Sequence, residues 1–559
     1  MADFSKAGKL ILIAAAVLAG TMLLCAAMPL QAQETAVPGG EARPPGAAVP
    51  MLFETSDRCI ACHTDVTSPA GVDVSIGADW RASMMANAAR DPYWQAAVRR
   101  EVIDHPEAAE EIQNECSICH MPMARYTAVT AGGAGSVFDH LPIGAGQGPL
   151  DVLASDGVSC TVCHQVQPDG LGEESSFVGG FVIDTAAAWG GREVFGPFAV
   201  DSGRTRIMRS ASDFQPVETN HLADSGLCGS CHTLFTHSRG EGGEVIARLP
   251  EQMPYLEWEH SDFRYEASCQ DCHMPVVEDS VPVTGVLGQP RADVSRHVFR
   301  GGNFFMLRML RRYRAELGVV APARELELAA QRTIEHLQSR TARLSVTDPR
   351  LTEGRLVADV VVENLAGHKL PTAYPSRRVW LHVTVVDGSD RVVFESGALQ
   401  GGARIVGNDN DADPSRFEPH YTTIDDPRQV QVYEAIMVGP ADEVTTGLLS
   451  AVRYEKDNRI LPRGFDPATA SDDIGVQGRA GADEDFVGGA DRVRYSVAVD
   501  ETAGPFTVEA ALWYQPIGYR WARNLADYDA FETQRFLRYY ESMARGSAVK
   551  LTGSRVSTP

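Results

Sequence analysis

The chain has 559 residues, 44% of them hydrophobic and 22% charged, an ordinary globular composition with room for several domains. Lys and Arg number 50 against 74 Asp and Glu, a formal net charge of −24. Such a surface repels phosphate backbones and argues against a nucleic-acid partner; it keeps a protein in solution or docks it on a basic partner.

In chain order, residues 1–32 have the form of an export signal. Lys6 and Lys9 precede an apolar run from Leu10 to Leu24, and Pro29 leads to a cleavage site after Ala32. The rival reading is an uncleaved anchor, because residues 10–30 carry no charge and about 20 apolar residues span a bilayer. A membrane association is expected only in that case; otherwise the product is periplasmic or extracellular. Residues 33–50, rich in Ala, Pro and Gly, form a linker.

Eleven cysteines occur, and Cys25 belongs to the leader. The other ten all fall in residues 51–300, in five copies of one pattern. These are Cys59-Ile-Ala-Cys62-His63, Cys116-Ser-Ile-Cys119-His120, Cys160-Thr-Val-Cys163-His164, Cys228-Gly-Ser-Cys231-His232 and Cys269-Gln-Asp-Cys272-His273. C-x-x-C-H is the attachment signature of c-type haem. Two thiols three positions apart reach the two vinyl groups of one porphyrin, and the adjacent imidazole binds the iron. Zinc or disulfides would not demand His after the second Cys five times over. The expected cofactor is therefore five covalently held haems c.

Each low-spin iron takes a second axial ligand, His or Met. Context singles out His297 in a loop after the last motif, His221 seven residues before Cys228, and His368 in a Gly/Pro loop between strand-like runs. His140 and His105 lie between motifs. His382 reads as a strand residue, His336 as a solvent-facing helical one, and His237, His260 and His420 as weaker candidates. Met85, beside Met84, reads as core packing by default and as an iron ligand in a haem-rich domain.

Residues 301–343 read as a helical connector, with Phe304, Phe305, Leu307, Leu310 and Tyr313 near helical spacing. Arg308, Arg311 and Arg312 between them are expected on haem propionates or in solvent. From 344 to 515 the period becomes two, as in a β-sandwich. Asp409, Asp411, Asp413 and Glu418 offer hard oxygens that could bind calcium, although Pro414 stands where an EF-hand has glycine. Residues 516–559 read as a helix over 527–543 and a tail. The fold class is multi-domain: a mostly α/loop multihaem domain, a helical segment and a β-sandwich-like C-terminal domain.

With these motifs in hand, residues 51–300 resemble the cytochrome c554-like group of multihaem cytochromes. The likeness rests on the C-x-x-C-H array, Trp80-Arg-Ala-Ser-Met-Met-Ala-Asn-Ala and the His297 loop. Relatives often carry a distal His where Met85 stands, which implies either a His/Met haem or a ligand from elsewhere. Gly-His-Lys-Leu-Pro-Thr at His368 is similar to a C-terminal domain of some large multihaem cytochromes. Pentahaem nitrite reductases place Lys after one C-x-x-C, whereas all five positions here are His. The expected role is electron transfer between redox partners, such as other cytochromes or quinol-linked membrane complexes. The alternatives are an oxidoreductase acting on a small nitrogen or sulfur compound at one open haem, and a filament subunit.

Overall fold

A computed structural model describes residues 52–558, apart from 189 and 402. They fall within one unit, Gly40–Pro559. The expected leader and the whole of the expected linker lie outside the described residues. Among the described residues no helix is long and apolar enough to cross a membrane.

Residues 52–300 hold short elements joined by long loops. Helix α1 spans Ile76–Arg81, α2 Pro92–Asp104 and α3 Ala109–His120. Helix α2 begins where it does because Asp91 accepts from the amides of Tyr93 (2.8 Å) and Trp94 (3.2 Å), with Pro92 at the first position. Strands β1 (Arg192–Gly196) and β2 (Phe214–Glu218) pair in parallel, and β3 (Leu234–Arg239) with β4 (Val245–Gln252) antiparallel. Helix α4 covers Pro254–Glu259.

The connector divides into two helices, α5 (Phe304–Arg312) and α6 (Ala323–Arg340). Phe304 and Phe305 are fully buried, each contributing roughly 1.5–3 kcal/mol. The three arginines of this stretch serve the connector itself: Arg308 lies over Phe304, Arg312 over Tyr313, and Arg311 pairs with Glu327 of α6 at 3.4 Å.

Two sheets follow. In the first, β5 (Ala342–Thr352) and β6 (Arg355–Asn364) pair antiparallel. Next to β6 stands β7 (Ala490–Ala498), edged by the two residues Thr423–Ile424. In the second, β8 (Arg378–Val386) lies between β9 (Val392–Ser396) and β10 (Thr507–Gln515). Alternate residues Leu356, Ala358, Val360 and Val362 of one sheet, and Val508, Ala510 and Leu512 of the other, enter one shared core. The expected tail is only partly a tail. After helix α7 (Phe531–Met543) the chain returns as β11 (Val549–Ser557), which pairs along β10. Helix α7 also closes on the first region, where Phe536 meets Tyr93 at 5.0 Å and Glu532 pairs with Arg99 at 2.9 Å.

Candidate haem centres

Each motif is wound on a helical turn. The amides of His63 and His164 donate to Cys59 and Cys160 at 3.0 Å, and that of His232 to Cys228 at 2.8 Å. Cys116–His120 closes α3, and Cys269–His273 is itself a helical turn. Residues four apart share a helix face, so the first thiol and the imidazole of each motif point the same way.

Four of the five imidazoles are fixed by one device. Nδ1 of His63 donates to the Val283 carbonyl (2.8 Å), that of His120 to Ala88 (3.0 Å), that of His164 to Phe195 (2.6 Å) and that of His273 to Arg300 (2.5 Å). This puts the proton on Nδ1 and leaves the Nε2 lone pair for a metal, the arrangement that orients metal-binding histidines. Burial pushes His120 and His273 down to about 4 and lowers His164 and His232 as well, so these rings are neutral near pH 7. The loops that accept these bonds also hold the motif backbones. Phe195 donates to the His164 carbonyl (2.7 Å), Gly285 to Cys62 (3.0 Å), and Arg300 through Nε to Cys272 (2.9 Å). Trp94 stacks flat on His120, with ring centroids 4.2 Å apart.

The thiols link the motifs to one another. Cys59 adjoins Cys160, Cys119 adjoins Cys231, and Cys228 adjoins Cys269. Within each pair the thiol–thiol hydrogen bond lowers the first, fourth and fifth motif's partner, Cys59, Cys231 and Cys269 (the last to about 7), and raises its mate. Cys163 rises to about 12, mainly from burial and next from Cys231. The fourth motif thus adjoins the second and the fifth, and the third adjoins the first.

Two imidazoles on opposite faces of one iron, with metal–nitrogen bonds of about 2.0 Å as for zinc, have ring centroids roughly 6 Å apart. His297 stands 6.2 Å from His164, with its plane turned by 12°. His368 stands 6.3 Å from His273 at 20°, and His336 also 6.3 Å from His273 at 54°. His297 donates Nδ1 to Ser295 (3.2 Å) and His368 to Lys369 (2.9 Å), again leaving Nε2 unpartnered among the described residues. The expectation that His336 faces solvent does not hold: its Nδ1 is enclosed, without a partner, against the fifth motif.

Charged anchors hold both loops. Arg296, next to His297, grips the buried Asp79 of α1 through Nε (2.8 Å) and Nη2 (2.7 Å), and Arg332 of α6 joins the same carboxylate at 3.0 Å. Beside His368, Lys369 is fully buried, with its ammonium on Asp457 (2.7 Å). Asp457 also takes Arg459 through Nε (2.8 Å) and Nη2 (2.7 Å), and Arg459 faces Glu257 of α4 at 3.0 Å. Burial lowers Lys369; it would raise Asp457, but Arg459 and Lys369 together hold that carboxyl well below its usual range. Glu257 in turn accepts from the Lys369 amide (3.1 Å).

The remaining candidates are placed as follows. His221 uses both nitrogens, Nε2 on the Val166 carbonyl (2.8 Å) and Nδ1 with the Thr219 hydroxyl (2.7 Å), so it offers no lone pair. His140 binds Asp151 through Nδ1 (2.7 Å) and keeps Nε2 unpartnered, the carboxylate–histidine form of a ligand. Its loop is tied to α3 by Gln113, which accepts from Phe138 (3.1 Å). His105 meets Ser450 at 3.2 Å through Nε2. Met84 packs on the main core, and the Met85 carbonyl accepts from Val158 (3.0 Å). His382 pairs with Glu395 (2.9 Å) and His260 with the Asp466 carbonyl (3.0 Å). The calcium reading finds no support, because the carboxylates are engaged by protein donors. Asp411 takes Arg378 twice (2.7 and 3.0 Å), Asp409 pairs with Arg416, Asp413 caps Ser415, and Glu418 accepts from Asp409, Tyr421 and Val430.

Among solved structures, a penta-heme cytochrome c552 from Thermochromatium tepidum matches over 91% of this chain and 100% of its own, with a TM-score of 0.51 and 16% identity. The fold is that of a multihaem c-type cytochrome. No family model and no curated relative matches the chain. The multihaem fold accounts for what sequence reasoning missed. His336 meets the fifth motif from a separate helix, and Asp79 joins Arg296 and Arg332 across 217 and 253 positions; the one local signal was an Arg directly before His297 with an Asp on the Trp80 helix.

Proposed function

We propose that the chain is an exported electron carrier holding five c-type haems on Cys59/Cys62, Cys116/Cys119, Cys160/Cys163, Cys228/Cys231 and Cys269/Cys272. The proximal imidazoles are His63, His120, His164, His232 and His273. The observation that carries this reading is the shared anchor: four half-buried rings, each held by Nδ1 on a backbone carbonyl with Nε2 unused. When bound, haem supplies one-electron chemistry at each iron. The chain's own part is to fix the rings, keep them neutral and hold the motifs close. His297 would supply a second ligand to the iron held by His164, and His140 has the chemistry for the second motif. The thiol contacts support a fourth centre beside the second and the fifth, and a first centre beside the third.

The kinship with the cytochrome c554-like group is supported by Asp79 and Arg296, which tie together the two segments that carry the likeness. An acidic chain suits partners with a basic docking face, cytochromes or quinol-linked complexes among them. The test is an intact-mass spectrum from a host able to attach haem, with EPR on the same sample. Five porphyrin additions and low-spin iron are expected. A high-spin signal that changes with nitrite or hydroxylamine would instead favour the oxidoreductase, and fewer than five additions would end the proposal.

A further inference from the structure

Residues 88–95 grip His120 twice. The Ala88 carbonyl accepts from its Nδ1 at 3.0 Å. Six residues later Trp94 lies flat on the ring, with centroids 4.2 Å apart and planes 1° apart. A single hydrogen bond leaves an imidazole free to turn about the bonded nitrogen; a stacked face does not. Among the described residues no other motif histidine has an indole, phenol or phenyl ring stacked on it.

The segment is built to deliver this contact. Asp91 accepts from the Tyr93 and Trp94 amides (2.8 and 3.2 Å) and so starts α2 at the turn that carries the indole. Gln95 reaches back through Nε2 to the Ala89 carbonyl at 2.6 Å. The turn that holds the edge of His120 and the turn that holds its face are thereby one unit. Farther along α2, Arg99 pairs with Glu532 of α7 at 2.9 Å, so the helix is held at both ends. We propose, resting on the five-haem reading above, that Trp94 is a positioning residue of the second centre: it fixes the rotation of the His120 ring about its bond to iron and favours the oxidised state there. The sign follows from charge. An imidazole on oxidised iron gives up more electron density than one on reduced iron, and a ring with positive character is held by the electron-rich face of an indole. The stack therefore lowers the potential of that centre. A phenyl ring offers a weaker face, and leucine none.

The experiment uses the holoprotein and the variants W94F, W94L, H120M and H120M with W94L. Haem number is read by intact mass, the five potentials by a spectroscopic redox titration, and ring orientation by the g values of the low-spin EPR signals. W94L is expected to keep five haems, to raise one potential of the five and to shift one set of g values. W94F is expected to move the same centre in the same direction by less. In the H120M background the ring pair is already gone, so adding W94L should change nothing further. Potentials and g values unchanged in W94L, or in W94F where W94L does not fold, overturn the inference while leaving the five-haem reading intact. A fall in potential, a W94F shift as large as that of W94L, or a further shift on adding W94L to H120M also overturns it, since Trp94 would then act as packing alone. A wild-type protein with fewer than five haems would sink the earlier reading instead.

Discussion

The two halves of the molecule solve the problem of a core differently. After residue 301, strands and helices interlock their own side chains, with Trp380, Phe304, Phe305, Tyr433 and Phe506 among the fully buried. Residues 52–300 bury fewer apolar side chains. One cluster consists of five small valines (Val66, Val74, Val277, Val281 and Val294), and among the described residues the region lends the main core the buried Ala82, Tyr93, Ala96, Phe235 and Met253, with Met84, Val178 and Leu256 packed against it. Its order comes from backbone contacts between motifs and the loops that receive them. The second half packs mainly on its own side chains; the first, on the five-haem reading, would be shaped around groups from outside the chain.

The largest expected effect would break that contrast if it failed. Chain exported from a host unable to attach haem should lose order across residues 52–300, because a ligand that binds only the native state supplies much of its stability. Limited proteolysis followed by mass mapping should show cuts concentrated between the motifs, with residues 344–558 surviving as a fragment. Even cutting along the chain would mean that the halves are equally self-sufficient.

The contrast also explains what could be read from sequence. The haem region was legible in its chemistry, since C-x-x-C-H is a local code, and illegible in its shape, which depends on porphyrins and long-range anchors. The β region was the reverse. Its period-two runs marked β6, β8 and β10 well, but β11 was missed because Val549–Ser557, with Lys550, Gly553 and Arg555, has only a weak alternation and gains its strand from pairing with β10. Within the same period-two stretch, Val444–Thr445 and Arg453–Asp457 are two short strands flanking a turn whose Leu448 and Leu449 amides bind Glu101 of α2 (2.9 and 3.3 Å). His336 was placed in solvent because the Glu and Arg around it mark an exposed helix face, while the fifth motif covers that one position from far along the chain.

The next tests act where the halves meet. Asp457→Asn leaves Lys369 and Arg459 buried beside each other without their shared carboxylate. Breaking a buried pair of this kind costs about 3–5 kcal/mol. Denaturant melts should show that loss, and the spectrum of the His368 centre should change with it. A melt within 1 kcal/mol of wild type would mean that the ammonium and guanidinium are not held by this acid. The sign with pH follows from the depressed Asp457: its stabilisation is present above the ordinary carboxylate range and is lost as pH falls through the lower folded value.

Asp79→Asn is expected to be milder, about 2–4 kcal/mol, since Arg296 and Arg332 keep some contact with water. Its signature is spectroscopic. With Arg296 released, the His297 loop loosens and the EPR signal of the His164 centre should broaden or turn partly high-spin, while the other four stay unchanged. An unaltered spectrum would show that the loop is held without Asp79.

The smallest effect lies wholly within the β half and should leave every haem signal alone. His420, Asp483 and Asp491 bring three ligand-type atoms within 4.8 Å of one another, the outline of a metal site. The hydrogen bonds argue for a proton instead. His420 Nδ1 accepts from the amides of Gln431 (3.0 Å) and Asn458 (3.1 Å), and neither amide can turn round, because their oxygens are held by the Tyr421 (2.9 Å) and Glu434 (3.0 Å) backbone amides. The ring proton is therefore on Nε2, donated to Asp483 at 2.9 Å, and no lone pair is left for a metal. Burial, and after it the Asp483 charge, raises Asp491 to about 7 against the hydrogen bonds from Tyr433 (2.6 Å) and Gln431 (3.3 Å), and its Oδ1 has no partner. A folded-state value above the unfolded one means that the native state holds an extra proton between about pH 4 and 7. The contribution of Asp491 is thus most favourable below about pH 4, falls as pH rises to 7, and is flat above. Asp491→Asn removes the charge but keeps the acceptor for Tyr433, so it should stabilise the protein by about 1–2 kcal/mol at pH 8 and by nothing at pH 4. An equal effect at both values would mean that Asp491 is ionised throughout and that the proton lies elsewhere.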